Sequence, residues 1–515
     1  SWPSGKKMEL KSLSYVAFAL AVVALYYGVR KVKNGQRCVL LAANLFFILV
    51  TSGLKSLLII TLCVAISYGA GLLIEKNILL EQKSKARRIF WLDIVLSLAI
   101  LCYFKFFKDT FLLLQDLLRS KGISVNALVS PIGLSYFTLT MIAYANDIYH
   151  KKHKAERNFL DYFLFITYFP SIVQGPVNLY KRTAPQFKLT HQPEGKRIIM
   201  GMQRSLWGYF KKVVIADRIG ILVMAILKDE AAGGFLLFWA MVLYSFQIYA
   251  DFSGGIDVIM GLSEMLDIRL AENFRSPLVS RSVTEYWQRW HMSLGEFMEK
   301  YLYYPIVLNR SVMKFSKKIP NKYLKKVFSA TLASVIVFIL VGVWHGTGWN
   351  YVVYGCYQAF FVSTAVLLGH WYKKVRTALH INENALSWKL FQALRTFLIL
   401  TFGRFFIRAK DLPQAFSLMA RTFRNFSLRQ TAILFDGTLC GYGLDYKNIR
   451  LMYLGIALLI AVDILHERKV KLRETVLRQD IVTRFAIYLL AVFAIIIFGI
   501  YGPEFSASSF IYQEF

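Results

Sequence analysis

From Val327 to Gly369 the chain runs forty-three residues without an Asp, Glu, Lys or Arg. About 20 apolar residues in a helix cross the hydrocarbon core of a bilayer, so this one run is long enough to cross twice. In lipid the backbone must satisfy its own polar groups, which a helix does within one segment. The middle of the run, Trp344-His345-Gly346-Thr347-Gly348-Trp349, holds two glycines and one histidine. The pattern therefore predicts a helical hairpin, with seventeen residues leading from Val327 to Val343 and twenty from Asn350 to Gly369. An ionisable group at membrane depth is costly and marks function, which makes His345 the first candidate site residue. It lies either at the far surface of a full hairpin or within the protein on a tilted, re-entrant one.

The rest of the chain agrees with a bilayer setting. Hydrophobic residues make up 56%, aromatics 16% and charged residues 18%. Further apolar stretches cover Ser12 to Val29, Val39 to Ile74 with a break expected at Ser52-Gly53-Leu54-Lys55, Ile89 to Phe104, Leu160 to Val177, Gly233 to Leu262, Leu390 to Phe402, Leu451 to Leu465 and Phe485 to Tyr501. This predicts an all-α, polytopic membrane protein of roughly 10–13 membrane helices. The first span lacks a small-residue cleavage pattern and is expected to be retained. One continuous membrane domain is expected, with N-terminal helices over 1–125, a core over 126–400 and closing elements over 401–515.

The net charge is +31, which in a soluble chain would suggest nucleic acid. Here the Lys and Arg residues cluster between apolar spans, where they orient loops toward the cytoplasm and meet lipid headgroups, so no nucleic-acid partner is expected. Ala271 to Lys326 holds eleven Lys and Arg against four Glu and should face the cytoplasm, as should the basic stretch from Lys373. The apolar run between them then enters and leaves on the same side. Five widely spaced cysteines form no CxxC pair, which points to neither a disulfide framework nor a thiolate metal site. No GxSxG elbow, Walker loop or GxGxxG fingerprint is present.

The segment before the hairpin carries a second pattern. Ser282 followed by Glu285 is a capping box and predicts a helix start. Trp287, Trp290, Leu294, Phe297 and Tyr301 then recur at three- and four-residue intervals as an aromatic stripe, bordered by His291. One reading is an interfacial helix with a wetted histidine; the other is a second site residue. Upstream, Asp251 and Asp257 interrupt an apolar segment, and carboxylates at depth pair with a cation or line a polar cavity. Arg275 and Arg289 are the expected partners. A metal site of Asp251, Asp257 and His291 has no recognised ligand spacing, and no metal is expected.

These residues carry a resemblance. Tyr249-Ala250-Asp251-Phe252-Ser253-Gly254, Glu272-Asn273-Phe274-Arg275-Ser276-Pro277, Tyr286-Trp287-Gln288-Arg289-Trp290-His291-Met292-Ser293-Leu294 and Trp344-His345-Gly346 together resemble the membrane-bound O-acyltransferase family, in its bacterial branch of alginate O-acetylation. Pro131-Ile132-Gly133-Leu134-Ser135-Tyr136-Phe137, Phe169-Pro170, Gln174-Gly175-Pro176, Arg404-Phe405-Phe406-Ile407-Arg408-Ala409 and Phe510-Ile511-Tyr512 extend it over most of the chain, with departures at Gln288 and Gly295 to Glu299. The resemblance implies many helices around a transmembrane tunnel. A cytoplasmic thioester, acetyl-CoA or an acyl carrier protein, would supply the acyl group to a polysaccharide hydroxyl outside. It further implies catalytic roles for His345 and His291, no bound cofactor, a bacterial cytoplasmic membrane, and an extracytoplasmic SGNH-like partner with its own nucleophilic serine.

The chemistry suits a histidine. Removing a hydroxyl proton during attack on a thioester needs a base active near neutral pH. Arg275, Arg289 and Lys300 are candidate contacts for anionic donor phosphates or for lipid headgroups alone. Trp290, Asp251, Asn273 and Trp344, in the matching motifs, are further candidate substrate contacts. Two other functions compete: D-alanyl transfer to teichoic acid from a carrier-protein thioester, and a non-catalytic transporter or flippase using Asp and His as a proton relay. Asp411 is expected to cap an interfacial helix with Leu412, Phe416, Met419 and Phe423 on one face, followed by two closing spans. His150, His153, His370, His380 and His466 are expected at solvated positions, and His191 in a polar loop without a role.

Overall fold

The structure is a computed structural model that describes residues 8–107, 130–424 and 426–501; the closing Phe510-Ile511-Tyr512 motif lies outside the described residues. The described chain is helical throughout, and its one strand-like feature is an antiparallel bridge between Phe274 and Trp290. The helices used below are α1 (Leu13–Gly28), α2 (Gly35–Leu79), α3 (Lys83–Cys102), α4 (Leu134–Tyr149), α5 (Phe159–Thr167), α6 (Gly195–Tyr209), α7 (Asp217–Lys228), α8 (Gly234–Met265), α9 (Val283–Arg289), α10 (Met292–Met298), α11 (Lys322–His345), α12 (Trp349–Leu367), α13 (Gly369–Ala378), α14 (Leu386–Arg408), α15 (Leu412–Phe423), α16 (Tyr446–Glu467) and α17 (Ile481–Phe498).

Among the described residues seven helices are long and apolar enough to cross a membrane, or eight if α12 and α13, bent by 63°, form one broken span. The 45-residue α2 counts once here, although Gly53 at φ 78° divides it where the sequence predicted a break. Taking its halves separately, and adding the short apolar α1, brings the number to the lower end of the expected range. The exposed surface is itself apolar: Leu490 on α17 is 68% exposed and Phe485 65%, as lipid contact requires.

The chain packs as two compact units, one of residues 1–207 and 255–271, the other of residues 208–254 and 272–515. In the first unit α2, α3 and α4 pack together. Asp257 pairs there with Arg204 at 2.9 Å, a partner the sequence reading did not name. His191 stands in a loop, as expected, and is buried there: Nδ1 lies 2.8 Å from Asp267 Oδ2 and Nε2 2.8 Å from the Gln186 carbonyl.

The second unit holds both candidate histidines. α11 and α12 form the predicted hairpin, broken at Gly346 to Gly348. At 1.5 Å per residue the 24-residue α11 is ~36 Å long, long enough for a full crossing, and His345 is its last residue. The two helices approach through glycine: a Cβ on Gly355 would stand 2.5 Å from the Phe338 carbonyl oxygen, and one on Gly342 2.4 Å from that of Tyr351. Small residues allow such backbone contact between membrane helices. Asp411 caps α15 as expected, its side chain accepting from Gln414 N–H at 2.8 Å. Ala415, Leu418 and Thr422 face inward, while Phe416 and Phe423 face outward, and α16 and α17 close the described chain.

Candidate active site

Ser282 starts α9 as predicted, its hydroxyl accepting from Glu285 N–H at 3.1 Å. The return bond differs from a full capping box, because Glu285 Oε2 accepts from Arg281 N–H instead. The aromatic stripe is also not one helix. α9 stops at Arg289, Trp290 is extended, and His291 adopts a left-handed conformation at φ 48° and ψ 51° before α10 begins. The cause is a short antiparallel pairing with the upstream motif: Arg275 N–H donates to the Arg289 carbonyl at 3.0 Å and Met292 N–H to that of Asn273 at 2.9 Å. A left-handed residue other than glycine costs ~1–2 kcal/mol and collects at functional sites. Here the pairing of two segments holds it in place.

That pairing delivers Asn273 to His291. Asn273 Oδ1 lies 3.0 Å from His291 Nδ1 and also accepts from Ser293 N–H at 3.1 Å and Ser293 Oγ at 2.8 Å. The bond from a backbone N–H identifies this atom as the amide oxygen, so His291 Nδ1 carries the proton and Nε2 the lone pair. Burial, and then the neighbouring His345, push the His291 imidazole down to about 3, which keeps it neutral at physiological pH.

His345 is the last residue of α11 and is 4% exposed. Trp344 lies between the two: its ring centroid is 6.3 Å from that of His291 and 5.0 Å from that of His345. Phe252 closes on His291 at 4.9 Å and Tyr354 on His345 at 6.4 Å. Two buried histidines, 54 positions apart in sequence, therefore share one aromatic enclosure. An imidazole with a lone pair in such a place can take a hydroxyl proton.

The other candidates have different surroundings. Trp290 is buried, stacked on Tyr286 at 5.4 Å and edge-on to Phe274 at 5.0 Å. Arg289 is held by Glu467 at 2.6 and 3.0 Å and by Glu285 at 2.8 Å; the bonds to Glu467 raise its pKa above the ordinary value. Arg275 is exposed. Lys300 lies beside its neighbour Tyr301, 5.2 Å from the ring centroid.

Asp251 is paired, though not with Arg275 or Arg289 as expected. Its carboxylate takes Lys212, which also reaches Asp217 at 2.9 Å. Lys212 is fully buried, and Lys211 beside it donates to Ser253 Oγ at 2.8 Å. Both lysines are buried within Phe210–Ala216, a π-helical turn, a wide turn that recurs at functional sites. Burial alone would lower the Lys212 pKa, yet Asp251 and Asp217 raise it above the ordinary value. Lys212 is not among the residues the sequence singles out, because nothing local to it marks a partner 39 positions away.

A model of the membrane-bound O-acyltransferase family matches residues 38–406. Over 378 residues the chain is 30% identical to the probable alginate O-acetylase AlgI of Pseudomonas aeruginosa, covering 72% of this chain and 66% of that protein. It is 28% identical over 368 residues to a peptidoglycan O-acetyltransferase of Helicobacter pylori, covering 66% of each. With a teichoic acid D-alanyltransferase of Bacillus subtilis it shares 29% identity over 259 residues, 48% of this chain and 62% of that one. The chain thus spans just under two thirds of the length of these relatives. The family match takes in Asn273, His291 and His345 with their enclosing helices. The chain belongs to the membrane-bound O-acyltransferase family.

Proposed function

We propose that the chain is a membrane O-acyltransferase that moves an acyl group, in the first place acetyl, from a cytoplasmic thioester toward a hydroxyl of a cell-envelope or secreted polysaccharide. The observation that supports it is the pair of buried histidines around Trp344, within a chain related to proteins named for acetyl and D-alanyl transfer. In this reading His345 takes the hydroxyl proton as the oxygen attacks the thioester carbonyl. The new C–O bond forms, the C–S bond breaks, and the departing thiolate leaves with the proton from His345. His291, neutral and oriented by Asn273, accepts through Nε2 from a second donor group of the acceptor molecule, which leaves the proton of the reacting hydroxyl to His345. General-base assistance contributes typically ~10²- to 10⁴-fold.

The donor is acetyl-CoA or an acylated carrier protein, and the membrane is the bacterial cytoplasmic membrane, entered from the cytoplasm through a tunnel. An extracytoplasmic partner with its own nucleophilic serine completes delivery to the polymer. The test is His345→Ala in cells, with ester-linked acetyl and D-alanine on the envelope polymers measured separately beside the amount of folded, inserted protein. Loss of acetyl alone supports the reading. Loss of D-alanine instead assigns the carrier-dependent reaction, and unchanged esters overturn acyl transfer by His345.

A further inference from the structure

Arg404, on α14, is a guanidinium 4% exposed without a carboxylate partner among the described residues. Its Nη2 donates to Tyr286 Oη at 3.1 Å, and its Cζ lies 5.9 Å from the centre of the same ring. Its Nη1 is shielded from solvent and meets no hydrogen-bond acceptor among the described residues. A buried cation without a counter-charge is among the most costly arrangements in a protein, and buried donors are normally bonded. Such a group is explained by an anionic acceptor that arrives during function.

A second donor stands nearby. Gln358 on α12 is 1% exposed, its Oε1 accepts from Trp287 Nε1 at 3.1 Å, and its Nε2 has no acceptor among the described residues. That Nε2 packs against Gly403, the residue before Arg404, where a Cβ would stand 3.0 Å from it. Tyr286 and Trp287, consecutive in α9, thus anchor one end of each side chain and leave a nitrogen of each in need of an oxygen. Tyr286 stacks on Trp290, which precedes His291 in the chain, and the guanidinium is within electrostatic reach of Tyr354, whose ring meets that of His345 edge-on.

We propose that Arg404 Nη1, seconded by Gln358 Nε2, holds the carbonyl oxygen of the acyl group as it becomes an oxyanion. This rests on the acyl-transfer reading above. When the hydroxyl oxygen bonds to the carbonyl carbon, the π pair moves onto the carbonyl oxygen, and a fixed cation stabilises that charge more than the neutral thioester. Collapse returns the pair to the C=O bond as C–S breaks. Interactions that strengthen only in the transition state raise kcat and leave substrate binding unchanged, and one oxyanion donor is worth ~10²- to 10³-fold in kcat.

The experiment uses the full chain in membranes with acetyl-CoA and with an acetylated carrier protein, following thiol release. Arg404→Met should lower kcat ~10²- to 10³-fold with KM within about twofold, and Gln358→Leu by about tenfold. Arg404→Lys should recover part of the loss. Tyr286→Phe, which removes only the Nη2 anchor, should lower kcat without unfolding the chain and stands in if Arg404→Met fails to fold. A raised KM at unchanged kcat would show that Arg404 binds a ground-state anion, and unchanged kinetics would show a packing role; either overturns the proposal. His345→Ala run beside these separates the two readings, because transfer that survives it defeats the His345 base itself. A wild-type chain that turns over neither thioester defeats both.

Discussion

Asn273 Oδ1 and His291 Nδ1 lie 3.0 Å apart, and the same oxygen holds Ser293 through two further bonds. One amide therefore fixes the tautomer of the histidine and the start of α10 together. Asn273→Ala should lower transfer ~10²-fold, the low end of the range for acid–base assistance, through kcat and not through donor KM. Asn273→Asp retains an acceptor and should restore part of the rate. Kinetics of both variants at equal amounts of folded protein check this, and a purely structural role would appear as less protein with unchanged kcat.

The neutral His291 has a consequence for acid stability. An unfolded imidazole titrates near ~6.5, whereas burial holds the folded one at about 3. Between those values the unfolded chain binds a proton that the folded chain does not, so stability falls as pH drops from ~6.5 toward 3 and is independent of this group above ~6.5. Melting of the wild type and of His291→Asn in detergent, compared from pH 7.5 to pH 4.5, should show the steeper decline in the wild type. Parallel curves would disprove the assignment.

Lys212 is placed between Asp251 and Asp217 without solvent. Lys212→Met leaves two buried carboxylates facing one another, and removal of one partner from a buried pair costs ~3–5 kcal/mol. The expected outcome is a large loss of folded protein, relieved in part by adding Asp251→Asn. If Lys212→Met alone folds normally, the cluster does not carry this stability.

The glycine contact behind His345 is tested by Gly355→Ala. Its Cβ would meet the Phe338 carbonyl oxygen at 2.5 Å, so α11 and α12 must separate, and overpacking costs ~1–3 kcal/mol. Because α11 carries His345 at its end, transfer should fall further than the melting temperature implies. Gly69→Ala, where a Cβ meets nothing within 4 Å, is the control.

Several elements were legible without coordinates. The charge-free run became the α11–α12 hairpin, Gly53 broke α2, Ser282 began α9 and Asp411 capped α15. Each depends on hydropathy or on a cap within a few residues, properties that add up locally along the chain.

Pairing among polar groups was not legible, and the tertiary structure alone decided it. Asp251 takes a lysine 39 positions away and Arg289 a glutamate 178 away, and neither spacing has a local signature. The stop of α9 at Trp290 and His291 likewise comes from pairing with residues 273 to 275 and overrides a periodicity that would continue the helix. In low dielectric the cost of an unpartnered charge is high, so Asp251 and Arg289 take the partners that packing brings within reach. The sequence placed the chain in a bilayer and singled out His345 and His291; packing set their spacing around Trp344, supplied Asn273 to orient one of them, and buried Arg404 against Tyr286 without a counter-charge.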